Sequence, residues 1–207
     1  MSTRKANRIE TLAKILDAAE IEFGLKGFSG ASLQHIADRA ELPKANIVYY
    51  FQSKEKLYKE VLNNILTGWN DVFSRATVND DPAHVLDEFI RTKLAFSVSK
   101  GRSSRIFAME VIGGANHIGD YLKDELSPWF ESRIALIEAW IAAGKMRAIE
   151  PASLIYMIWA TTQHYADFEA QILALGGDDA MDEAHLERIG DTVSSIILQG
   201  CGLSLEA

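Results

Sequence analysis

Apolar residues recur at three- to four-residue intervals along nearly the whole chain, and no βαβ alternation interrupts them. Ile9, Leu12, Ala13, Ile15, Leu16, Ala19 and Phe23 form one stripe over 7–26, which ends at the glycines of GLKGFSG (Gly24, Gly27, Gly30). Ser32 then offers an N-cap for a short helix to about Arg39, with Leu33, Ile36 and Ala37 facing inward. A break at Ala40–Leu42 follows. Pro43 suits the first turn of a second short helix to about Phe51, because a first-turn N–H has no intrahelical partner to lose. Ser53 caps a long helix with Glu55 and Lys56 in its first turn.

Beyond that point the pattern predicts helices over 54–76, 82–100, 102–113, 118–143, 151–175 and 182–200. They are separated by NDDP, KGRS, GGANHIG, AAGKMRAIEP and GGDDAMDE. Pro128 falls inside the fourth of these helices and should kink it. The expected fold class is therefore all-α. Residues 1–53 form a three-helix head containing a helix-turn-helix, and 54–207 form a helical C-terminal domain. An ordinary αα-hairpin with surface tyrosines fits the same short helices.

Composition narrows the function. At 48% apolar residues the chain can bury a substantial core. A single cysteine, Cys201, forms no intrachain disulfide and points to a reducing compartment. No signal-like N-terminus and no apolar run of membrane-spanning length is present, so a cytoplasmic location is expected. The net charge of −8 is unevenly spread. Residues 1–60 carry 10 Lys/Arg against 8 Asp/Glu, and the remainder carries 11 against 21. Charge alone does not separate a DNA-reading segment from a solvated surface.

No phosphate loop, nucleophile motif, HExxH or cysteine cluster occurs, and His164 with Asp167 lacks a third metal ligand, so no catalytic centre, cofactor or metal is expected. Candidate chemistry lies elsewhere. The second short helix carries Lys44, Asn46, Tyr49 and Tyr50, residue types that meet phosphates and base edges. In MIWATTQHYADF, Trp159, Thr162, Gln163 and Ala166 share one helical face, and Tyr156, Ala160, His164 and Asp167 share another. Polar residues in a helix built for burial need partners. An indole offers a flat stacking surface, and a primary amide offers both donor and acceptor to an imide-like ring edge. Ordinary core packing fits the same residues.

SLQHIADRAELPKANIVYYFQSKEKLY resembles the DNA-binding signature of TetR-family transcriptional regulators. The resemblance implies that Lys44, Asn46, Tyr49, Tyr50 and Lys54 face DNA, and that Ile36, Ala37, Ile47, Phe51 and Leu57 hold the head together. Glu41 stands where the family commonly has Gly, and Pro43 where Ser or Thr often caps the helix. SRIFAMEVIGGA, ALIEAWIAAGKM and MIWATTQHYADF resemble the pyrimidine-utilisation branch, which implies uracil or thymine as the small-molecule effector. It also implies a homodimer through the last two long helices, where Ile155, Tyr156, His164, Ile189, Val193, Ile196 and Ile197 supply the candidate contacts. Effector candidates are Trp69, Phe73, Phe107, Met109, Trp159, Thr162 and Gln163. Glu110, if buried, needs a partner such as Arg105 or a backbone donor. The expected function is a regulator, of the repressor type in the family's manner, acting on double-stranded operator DNA and without membrane attachment. A different aromatic or cationic effector, and a helical enzyme or scaffold without a DNA role, are the alternatives.

Overall fold

The computed structural model describes residues 3–66, 71–176 and 182–205, and among these there is no strand. In chain order the helices are α1 (Thr3–Gly30), α2 (Leu33–Arg39), α3 (Lys44–Phe51), α4 (Lys54–Leu66), α5 (Asp71–Arg75), α6 (Pro82–Ser99) and α7 (Gly101–Ile112). There follow α8 (Gly119–Tyr121), a π-helical turn (Leu122–Leu126), α9 (Ser127–Ala142), α10 (Pro151–Asp167), α11 (Glu169–Gly176) and α12 (Glu183–Gly200). Two compact units result. One comprises residues 1–67 with 102–119, and the other comprises 68–101 with 120–207. The helix-turn-helix segment thus sits in a unit that also contains α7.

Local chemistry explains most of the boundaries. Ser32 accepts the His35 N–H at 3.1 Å and Ser53 accepts that of Lys56 at 3.1 Å, so both serines cap helices. Pro43 occupies the N-cap of α3, one residue earlier than the expected first turn. Glu41, in the turn between α2 and α3, has φ 55°, the left-handed region where glycine is at ease and a Cβ is strained. That backbone demand accounts for the glycine common at this position. The kink expected at Pro128 appears as the π turn just before it. Pro128 has no N–H to give the Asp124 carbonyl, and the chain widens so that the Ser127 N–H reaches Leu122 O. The helix expected over 151–175 is interrupted at Phe168, whose ring stacks back on His164 at 4.7 Å.

In the N-terminal unit, Ile15, Ala19 and Phe23 of α1 are buried with Ile36, Ile47, Leu57, Leu62 and Ile106. Gly24 allows α7 to come close, since a Cβ there would lie 2.6 Å from the Arg102 side chain. In the C-terminal unit, Phe73, Phe89, Ile90, Ile137, Trp140, Ile155 and Ile158 form the centre of the core. Arg91 binds Asp87 and, at 2.7 Å, Asp191, which joins α6 to α12. No helix of the described residues is long and apolar enough to cross a membrane.

One residue departs from the apolar rule. Lys93 lies on the inward face of α6 with Leu86, Phe89, Ile90 and Leu94, and is only 5% exposed. Burial pushes its ammonium down to about 8, against an opposing pull from the Asp167 charge. Between pH 8 and the ordinary lysine value near 10.4, the unfolded chain holds a proton that the folded chain has released, so stability rises with pH there. Below pH 8 both states are protonated and the full penalty of about 3 kcal/mol applies. Lys93→Met should therefore raise unfolding stability at pH 7 by an amount of that order. Urea unfolding at several pH values should show the advantage shrinking from pH 8 to 10, and a pH-independent difference would refute it.

Candidate DNA-reading head and effector site

In the N-terminal unit α3 is held by Ile47, which is fully buried, while Lys44 and Tyr49 are exposed and Asn46 and Tyr50 half-buried. Tyr49 is 79% exposed, with its ring edge-on to Tyr50 at 5.1 Å. Exposed Tyr49 and Lys44, with half-buried Tyr50, are residue types that meet a phosphate backbone. Lys54 is engaged within the unit. Its ammonium donates to Phe28 O at 2.8 Å and Ala31 O at 3.0 Å and lies 4.6 Å from the Phe28 ring centroid. It ties the end of α1 to the start of α4. The buried carboxylate of Glu22 meets His35 Nδ1 at 3.1 Å and Arg39 at 3.8 Å, an α1–α2 brace that sequence patterning passed over.

In the C-terminal unit, Trp159 is the hub of an aromatic cluster on α9 and α10. The ring centroids of Trp129, Phe130 and Tyr156 lie 6.0, 5.7 and 5.8 Å from that of Trp159. Phe73 is joined to the cluster through Trp129, 6.1 Å away, but is itself fully buried in the core. The Lys93 ammonium lies 5.8 Å from the Trp159 ring centroid. The indole N–H of Trp159 is buried, and among the described residues it has no hydrogen-bond partner. Thr162 is fully buried one turn on, and its hydroxyl is satisfied by Ile158 O at 2.7 Å. Gln163 is half-buried beside it.

Two of the remaining effector candidates belong to the other unit. Phe107 and Met109 lie on α7 in the N-terminal unit, the first half-buried and the second exposed. Trp69 falls outside the described residues. Lys93 is the residue that pattern reading missed. Its signal was a lysine three and four residues after Ile90 and Phe89, on the apolar stripe of a helix.

The seven dimer candidates divide by face. Ile155, Val193 and Ile197 are taken up by the core of their own unit, with Ile189 half-buried against it. Tyr156, His164 and Ile196 point outward, Ile196 being 64% exposed. Helical geometry explains the division, since Val193 and Ile197 are one turn apart and Ile196 lies off that stripe.

Residues 15–61 match the family described as bacterial regulatory proteins of the tetR family, and 62–204 match the C-terminal region of YcdC-like protein. The chain is 39% identical over 201 residues to the HTH-type transcriptional regulator RutR of Escherichia coli K12, covering 96% of this chain and 95% of that protein. The HTH-type transcriptional repressor NicS of Pseudomonas putida is 35% identical over 81 residues, 39% of this chain and 38% of its own. Among solved structures, the TetR-family regulator PfmR of Thermus thermophilus superposes with a TM-score of 0.70 at 17% identity, covering 93% of this chain and 99% of its own. The relatives and the fold are those of transcriptional regulators rather than enzymes. With both segments of the chain matched and RutR similar over nearly its full length, the chain belongs to the TetR family of DNA-binding transcriptional regulators.

Proposed function

We propose that this regulator binds a pseudo-palindromic operator as a homodimer and that a small planar metabolite, a pyrimidine such as uracil or thymine, controls its hold on DNA. The observation that carries the effector half is the buried indole N–H of Trp159, without a partner among the described residues, beside the Lys93 ammonium. A buried donor left unmet costs about 1–3 kcal/mol, which a ligand carbonyl at that position would recover. A pyrimidine base supplies a carbonyl acceptor for the indole N–H, an imide N–H for the Gln163 amide, and a flat face for the indole. Trp129 or Tyr156 would have to shift to admit it, because their rings now pack on Trp159. The resemblance of the α10 sequence to the pyrimidine-utilisation branch supports the same choice. A cationic effector is disfavoured by like charge, since Lys93 already lies near the indole.

On the DNA side, Lys44 is exposed at the N-terminal end of α3 and is the proposed phosphate contact. Lys44→Ala should weaken binding to every duplex and reduce the steepness of the log–log salt dependence by about one. Fluorescence anisotropy at several salt concentrations measures both, and an unchanged slope would remove Lys44 from the interface.

Two recognition helices can read half-sites about one helical turn apart only if they are fixed to each other. Ile196, exposed on α12, is the proposed dimer contact, whereas Val193 belongs to the protomer core. Ile196→Glu should give a folded monomer in sedimentation at micromolar concentration, and Val193→Glu should fail to fold. A wild-type monomer under those conditions would contradict the dimer.

Gln163→Leu should lower uracil affinity by about tenfold or more while the protein stays folded and DNA-bound, so that DNA affinity no longer responds to the metabolite. Calorimetry with uracil, thymine and several purines on both proteins decides it. Equal binding to both places Gln163 outside the site. No pyrimidine binding to wild type below about a millimolar rules out the ligand class.

A further inference from the structure

Glu110 is a carboxylate 7% exposed, on α7 in the N-terminal unit, and neither of the two sites above uses it. Its oxygens gather donors from the turn that follows and from α4. The His117 backbone N–H donates to Oε1 at 2.7 Å, and His117 Nδ1 lies 3.1 Å from Oε2. The Tyr58 hydroxyl also bonds to it, and burial, reinforced by the Glu110 charge, holds that phenol above its ordinary range. Nδ1 is the ring nitrogen that faces the carboxylate.

The imidazole is in turn packed between elements of the head. Its ring centroid lies 4.3 Å from Phe28, at the end of α1, and 5.1 Å from Tyr58 on α4. Phe28 follows Gly27, where α1 breaks at φ 64° and ψ 176°, so its position is not set by helix geometry alone. The Phe28 carbonyl and ring both hold the Lys54 ammonium, two residues beyond Gln52, the C-cap of α3. A continuous line of contacts thus runs from Glu110 through His117 and Phe28 to Lys54. At its origin the turn is strained, because Ala115 is held at φ 56° while its N–H bonds Glu110 O at 2.8 Å. Such strain persists only where surrounding contacts over-determine it.

Connectivity gives the line a purpose. Residues 102–119 are an excursion of the chain, which leaves the C-terminal unit after Gly101 and returns to it at Asp120. We infer that Glu110 and His117 form a latch by which this excursion positions α1 and α4, and through Lys54 the end of α3, for reading DNA. They are positioning residues. Phosphate contacts do not depend on them, but the placement of the α3 side chains against base edges does.

The test separates placement from folding. A duplex selected from random sequence by the wild-type protein, and a scrambled duplex of equal length, are titrated with wild type, His117→Ala, Glu110→Gln and His117→Asn. The asparagine places an amide N–H donor where Nδ1 stands. The alanine and glutamine variants should lose about tenfold or more of the ratio between selected and scrambled affinities, with scrambled affinity within about twofold of wild type. His117→Asn should keep most of the ratio. Amide hydrogen exchange should quicken at Phe28–Ala31 in His117→Ala while α12 stays protected. An unchanged ratio in both variants, a parallel fall on both duplexes, or unaltered exchange at the end of α1 would each overturn the latch.

Discussion

A helix ends in carbonyl oxygens that have no partner within it, and in this chain side-chain cations from distant segments supply the missing donors. In the N-terminal unit Lys54 binds the Phe28 and Ala31 carbonyls. In the C-terminal unit Arg133 binds Phe73 O at 2.6 Å and Ala76 O at 3.2 Å, while Lys145 binds the loop carbonyls of Val78 and Asp80 that lead into α6. Cations near helix C-termini also gain from the macrodipole. Each of these contacts joins segments far apart in sequence, so helix termination and tertiary assembly are the same event. The short helices α2, α3 and α5 are too brief to be stable alone, and their order depends on such cross-links and on the buried stripes beneath them.

The same logic explains what was readable beforehand. Ser32 and Ser53 announced helix starts because capping is a local property of one side chain and the amides just after it. Pro128 announced a disruption for the equally local reason that it lacks an N–H. The break at Phe168 was not announced, since no glycine or proline marks it and only the ring of His164 registers it. The division of Ile155, Val193 and Ile197 from Ile196 was likewise hidden. An amphipathic stripe shows that a face is buried but not whether its cover comes from the same chain. Lys93 was missed because composition counts a lysine as surface, whereas its long apolar stem lets it run along a core.

Lys93 and Trp159 together carry the marks of a site kept at some cost to stability. A buried ammonium near an indole whose N–H lacks a partner among the described residues would be replaced by apolar groups if packing alone governed the choice. Neither feature is required to close the core, which already has Trp140, Phe73 and Phe89 at its centre. The indole N–H makes sense if a ligand brings an acceptor to it. The surrounding rings then serve as a stand-in that keeps water out until they are displaced.

Charge distribution sets how large the response to such a ligand has to be. The first 60 residues carry only two more Lys/Arg than Asp/Glu, and the rest of the chain is strongly acidic. Few phosphates can be neutralised by so nearly balanced a head, so non-specific affinity stays low and falls with salt. On the proposed contacts of α3, binding would depend on several of them being made at once. A regulator working near its affinity threshold needs only a modest coupling free energy, about 1–3 kcal/mol or roughly 5–150-fold, to move between bound and free operator.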